Sequence, residues 1–82
     1  MNKPDLIDKI WNKVDLKKFE VEQVVDALFE VIEQAIVDDE NVTISGFGSF
    51  DVRERMSRKD PSQKVKGVHF ECSRVLKKKV NK

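Results

Sequence analysis

The chain has 82 residues, near the size at which one hydrophobic core gives only marginal stability. It is 39% hydrophobic and 38% charged; no apolar run is longer than Ala35-Ile36-Val37, far too short to cross a membrane, and its first residues lack the apolar segment of a signal peptide. The lone cysteine, Cys72, excludes an internal disulfide and fits a reducing cytosol, while the net charge of +1 hides a division: residues 1–52 hold 5 Lys/Arg against 12 Asp/Glu, and residues 53–82 hold 11 against 3.

Pro4 suits the first turn of a helix, where a missing N–H costs nothing. Leu6, Ile7, Ile10, Trp11 and Val14 then recur at helical spacing, and Trp11 on that stripe reads as core. Asp15 can cap a restart. Phe19, Val21, Val24, Val25, Leu28, Phe29, Ile32, Ala35 and Ile36 form a wide apolar stripe, with Glu22, Asp26, Glu30 and Glu33 opposite. A stripe this wide needs more cover than one short helix gives, so it reads as core plus a dimer interface. "VDDEN", residues 37 to 41, ends the helix.

Strand signals follow. Val42 and Ile44 alternate with Thr43 and Ser45, and Gly46-Phe47-Gly48 sits at a turn where glycine can take positive φ. From Ser49 to Arg55, period two places Phe50 and Val52 on one face and Ser49, Asp51, Arg53 and Arg55 on the other. Residues 55 to 67, "RMSRKDPSQKVKG", are almost free of apolar side chains and hold five basic residues. Asp60-Pro61-Ser62 reads as the turn of a short basic hairpin. Val68 and Phe70 return to the core. Ser73 can cap a last helix, Arg74 to Asn81, with Val75, Leu76 and Val80 inward and Lys77, Lys78 and Lys79 outward. Helices and a hairpin sheet make an α+β chain, and nothing in the sequence marks a second domain.

Enzyme readings fail. One His and one Cys give no nucleophile–base set. "GFGSFD" lacks the third glycine and the strand-to-helix setting of a dinucleotide fingerprint. His69 and Cys72 would supply two metal ligands at most; a partly exposed His beside a small buried thiol is the simpler reading, and no metal or cofactor is expected. The basic set is more specific. Arg53, Arg55, Arg58, Lys59, Lys64 and Lys66 cluster on one hairpin and its base. A β-ribbon carrying arginines can enter a DNA groove, and the minor groove favours guanidinium. Arg74, at a helix start, can join free N–H groups in holding a phosphate.

These stretches resemble the bacterial HU/IHF family of histone-like DNA-bending proteins over nearly the full length. The resemblance is carried by "MNKPDLID", "VVDALFEVI", "ISGFGSFDVRERMSRK" and the F-x-x-S-R-x-L-K-x-x-V-N pattern from Phe70 to Asn81. It implies one domain over residues 1–82: a helical body, a three-stranded antiparallel sheet and a short β-ribbon arm, assembled as an intertwined homodimer or heterodimer. The sheets of two subunits would form a saddle on the DNA minor groove, in the cytoplasm and on the nucleoid. Matched position by position, Arg53, Arg55, Arg58 and Lys59 correspond to the base of the family's arm. Lys3 and Arg74 correspond to positions near the DNA backbone, and Lys77 to one that extends the phosphate contacts. Phe29, Phe47, Phe50 and Phe70 correspond to the dimer core.

The arm departs from the family. It is about nine residues shorter, and Asp60 stands where the family's R-N-P-x-T-G tip places Asn. The family's tip proline wedges between base pairs; Pro61 can do the same or only shape a turn. Taking each strand from Arg55 to Gly67 as about six residues, the ribbon reaches roughly 20 Å, enough for one flank of a duplex. The expectation is a sequence-tolerant architectural protein that bends DNA less than its relatives. The alternative is a short-arm paralogue acting through protein contacts, for example by pairing with a full-length relative.

Overall fold

The computed structural model describes residues 1–60 and 62–81. Helix α1 spans Lys3–Trp11. Asn2 Oδ1 accepts the Asp5 N–H at 3.2 Å and the Asp5 carboxylate accepts the Asn2 N–H at 3.1 Å. This reciprocal cap, with Pro4 in the first turn, satisfies donors that a helix start otherwise leaves free. The helix stops at Trp11, short of Val14. Asp15 does not cap the restart. Helix α2 (Lys18–Val37) begins where Glu20 Oε1 accepts the Lys17 N–H at 3.0 Å.

Two compact units divide the chain, Met1–Ile32 and Glu33–Lys82. Within the first, Ile7 of α1 is buried, as are Val21 and Val25 one turn apart on α2. Trp11 is not core in the single chain: it is 43% exposed, with the Lys18 ammonium 5.8 Å from its ring centroid. Ion pairs Lys3–Asp26 and Lys18–Asp8, at 2.6 and 3.1 Å, rim the same unit.

In the second unit, α2 ends in a turn in which Asp39 takes a φ of 60°. Strands β1 (Val42–Ile44), β2 (Gly48–Met56) and β3 (Lys64–Cys72) form an antiparallel sheet in chain order. Gly46, at a φ of 79°, makes the first turn. Gly48 is required for a different reason. A Cβ there would lie 2.6 Å from the Glu71 carbonyl oxygen and 2.7 Å from the Phe70 ring. That space is closed because Phe70 stacks over the strand, its centroid 4.9 Å from that of Phe50 and 5.6 Å from that of Phe47. Helix α3 (Arg74–Val80) is capped by Ser73, whose Oγ accepts the Leu76 N–H at 3.1 Å.

Candidate nucleic-acid interface

The β2–β3 register decides which side chains share a face. Asp51 opposes His69, Arg53 opposes Gly67 and Arg55 opposes Val65. Alternation then puts Ser49, Asp51, Arg53, Arg55, His69 and Glu71 on one face, and Phe50, Val52, Val68 and Phe70 on the other. The ribbon runs past β1 as six rungs, Asp51↔His69 to Met56↔Lys64, a reach of roughly 20 Å. Counted from Arg55, however, only the rungs Arg55↔Val65 and Met56↔Lys64 remain before the tip. The expected six-residue strands beyond Arg55 are not there; most of the ribbon's length lies below Arg55.

At the tip, Ser57 N–H donates to the Gln63 carbonyl at 2.9 Å. Asp60 Oδ1 accepts both the Ser62 N–H and the Ser62 hydroxyl, at 3.0 and 2.6 Å. Those two hydrogen bonds hold the Asp60 carboxyl below its ordinary pKa, and at neutral pH it is a carboxylate. Arg58 and Lys59 are exposed beside it. Pro61, expected at the point of the arm, falls outside the described residues.

Arg53, Arg55, Arg58, Lys66, Gly67 and His69 line one open concavity on the ribbon. Of the two lysines expected with the arginines, Lys66 lines this concavity although its rung lies opposite Glu54, whereas Lys64, opposite Met56, does not. Lys64 lies 4.0 Å from Glu54, and Lys66 pairs with Asp39 at 2.8 Å. The hydrogen bond to Asp39, then its charge, raise the Lys66 pKa. Lys3 is likewise engaged: its hydrogen bond to Asp26, then that residue's charge, raise its pKa. Arg74, Lys77, Lys78 and Asn81 line a second, shallow basic concavity on α3. At that helix start Ser73 already occupies the Leu76 N–H, so that one donor is closed to a phosphate.

One feature of the face was not foreseen. The two carboxylate oxygens of Asp51 are divided between neighbours: Oδ2 accepts from Arg53 Nε at 3.2 Å, and Oδ1 lies 3.0 Å from His69 Nδ1. Partial desolvation pushes the Asp51 pKa up, but the hydrogen bonds with Arg53 and His69 and their charge outweigh it, leaving it below the ordinary value. Alternation alone put Asp51 and Arg53 together; His69 needed the register.

Of the expected dimer-core residues, Phe47, Phe50 and Phe70 form one cluster; Phe29 belongs to the first unit and is 44% exposed. Cys72 is exposed rather than buried. Among the described residues no three His, Cys, Asp or Glu side chains group as metal ligands, and no helix is long and apolar enough to cross a membrane.

A basic β-ribbon on a three-stranded sheet, joined to capped helices, is the architecture of a family of bacterial proteins. The family model described as "Bacterial DNA-binding protein" matches residues 1–81, and the chain belongs to that family. It is 42% identical over 76 residues to DNA-binding protein HU of Staphylococcus aureus, covering 92% of this chain and 84% of that protein. Against DNA-binding protein HU of Thermotoga maritima it is 36% identical, covering 98% and 99% of the two chains; that alignment spans 91 positions, so the relative carries extra residues. Among solved structures, a variant HU from Thermotoga maritima superposes with a TM-score of 0.81 at 36% identity, covering 98% of this chain and 99% of that one. An Anabaena HU–DNA cocrystal structure gives 0.78 at 29% identity, covering 98% and 97%.

Proposed function

We propose that the chain is an architectural, sequence-tolerant binder of double-stranded DNA, acting as one domain in the cytoplasm and on the nucleoid. The single observation that carries this reading is the ribbon face on which Arg53 and Arg55 stand exposed, with Arg58 beside the same concavity. Exposed guanidiniums on a ribbon suit phosphates and a narrow minor groove better than they suit packing. Lys59, Lys64, Arg74 and Lys77 add phosphate contacts at the edges, and Lys3 and Lys66 join where a phosphate displaces Asp26 or Asp39. No base-reading constellation accompanies them, so affinity is mainly electrostatic.

The active form is a dimer. Among the described residues the buried apolar side chains are Ile7, Val21 and Val25, all in the first unit. Val24 and Leu28 on α2, and Phe47 and Phe70 in the sheet unit, stay exposed. A second copy that covers them supplies the core this chain lacks. Because a single rung, Met56↔Lys64, separates Arg55 from an acid-bearing tip, the arms touch the duplex flank, and the bend is smaller than that made by longer-armed relatives.

The test is a salt-titrated binding curve on two unrelated duplexes, each intact and nicked, alongside sizing of the free protein. Affinity is expected to fall steeply between low and physiological salt, alike on both sequences, with a dimer at micromolar concentration. A flat salt response, or a monomer, overturns the reading. The exposed stripe would also suit pairing with a longer-armed relative; failure of the purified chain to shift DNA, restored by such a relative, would favour that role.

A further inference from the structure

The Asp51–His69–Arg53 cluster places an acid and a titratable ring on the face that carries the arginines. Asp51 is the one carboxylate on β2 of that face, and it takes hydrogen bonds from both neighbours. With His69 neutral, the Asp51 charge is set against Arg53, and this part of the face sums to zero. We propose that Asp51 and His69 form a proton-gated positioning element for Arg53, so that protonation of His69 strengthens the hold of this face on DNA. The inference rests on the DNA-binding reading above and deepens it.

The electrostatics follow from the neighbours. Histidine is the side chain that ordinarily changes charge between about pH 5 and 8. Facing or adjoining His69 are Asp51, Arg53 and Arg55 on β2, Glu71 on β3, and Arg58 and Lys66 at the shared concavity, Lys66 being paired with Asp39; β1 (Val42–Ile44) carries no charge. An imidazolium takes Asp51 as its own counter-ion. Arg53 then presents a guanidinium no longer neutralised within the protein, and the cluster gains one positive charge. Phosphates bound at Arg53, Arg55 and Arg58 cancel the cationic charge near the ring and so favour its protonation. Binding and proton uptake therefore reinforce each other, as linkage requires. Asp51 is a positioning residue here: it acts through Arg53 and need not touch DNA.

His69 is the only histidine in the chain, which makes the test selective. The full-length protein is titrated with one duplex at pH 6 and pH 8 at fixed ionic strength, and proton uptake is read by calorimetry in two buffers of different ionisation enthalpy. The unmodified protein is expected to bind about threefold to tenfold more tightly at pH 6 and to take up protons on binding. Its salt slope steepens at pH 6 by up to about 0.9 for each added cation that meets a phosphate. His69→Gln should flatten the pH profile and abolish the uptake while leaving pH 8 affinity near that of the unmodified protein. Asp51→Asn should tighten binding at pH 8 and shrink the gain on acidification. If the unmodified protein binds DNA with the pH profile of His69→Gln and takes up no protons, the gate is overturned while DNA binding stands. If it binds no duplex at either pH in low salt, the functional reading fails and the gate with it. Should His69→Gln not fold, proton uptake by the unmodified protein decides alone.

Discussion

The two units of this chain are built on opposite terms. Met1–Ile32 holds all the buried apolar side chains among the described residues, Ile7, Val21 and Val25, inside a shell of Lys3–Asp26 and Lys18–Asp8 pairs. Glu33–Lys82 has a hydrogen-bonded ladder and a phenylalanine cluster but, among the described residues, no buried apolar side chain of its own. It also carries every arginine of the chain: Arg53, Arg55, Arg58 and Arg74. The first is organised around its own interior; the second is organised around what it will touch. Mutations should separate them, since one kind of change acts on stability and the other on binding.

The largest expected effect is in the first unit. Val21 is 1% exposed, and Val21→Asp would bury an unpartnered carboxylate at a cost of about 3–5 kcal/mol. Chemical denaturation should show the chain largely unfolded; a midpoint near that of the unmodified protein would deny this helix pair its interior. Next comes the ribbon. Arg53→Ala with Arg55→Ala should weaken duplex binding by about tenfold to a hundredfold, reduce the salt slope, and leave the thermal midpoint within a degree or two. A loss confined to one DNA sequence would replace the sequence-tolerant reading with a base-specific one.

Gly48→Ala tests whether the second unit has any tightly packed point. Its Cβ would meet backbone at Glu71, so a loss of about 1–3 kcal/mol is expected in thermal unfolding. No loss would mean that β2 and β3 part there without strain. The smallest effect is acid sensitivity. Asp51 and Asp60, the carboxyls with lowered pKa values, both lie in the second unit. A depressed folded-state pKa contributes stability above the unfolded value of about 3.9 that is lost as pH falls through the folded one. Unfolding curves between pH 5 and pH 2 should therefore flatten in an Asp51→Asn, Asp60→Asn double variant, most visibly below about pH 4.

Much of this division was legible in the residues. The charge split, the helical stripes, the Gly46 turn and the face shared by Arg53 and Arg55 all follow from local pattern. What escaped depended on partners distant in sequence. Asp15 has the chemistry of a cap, yet Glu20 reaching back to Lys17 does that work, because a carboxylate one turn inside a helix can serve as well as one before it. Trp11 fits an apolar stripe, but its neighbour is the Lys18 ammonium. Lys64 looked like a companion of the arginines until the register set it opposite Met56, whereas Lys66, opposite Glu54, still lines their concavity. Register in a hairpin is fixed by its loop, and the span from Ser57 to Gln63 could not be counted as loop rather than strand from composition alone. The same uncertainty hid the meeting of Asp51 and His69. Cys72, counted as buried, ends β3 exposed.

The ladder that stops at Met56↔Lys64 has a modular consequence. Side chains repeat every two residues along a strand, so splicing two residues into each strand just above that rung lengthens the ribbon by about 7 Å while every residue below keeps its orientation. Adding one to each would invert whatever is grafted beyond. Arm span and the geometry of the lower face are thus separately adjustable, and a lineage can trim or extend the one by pairs of residues without rebuilding the other.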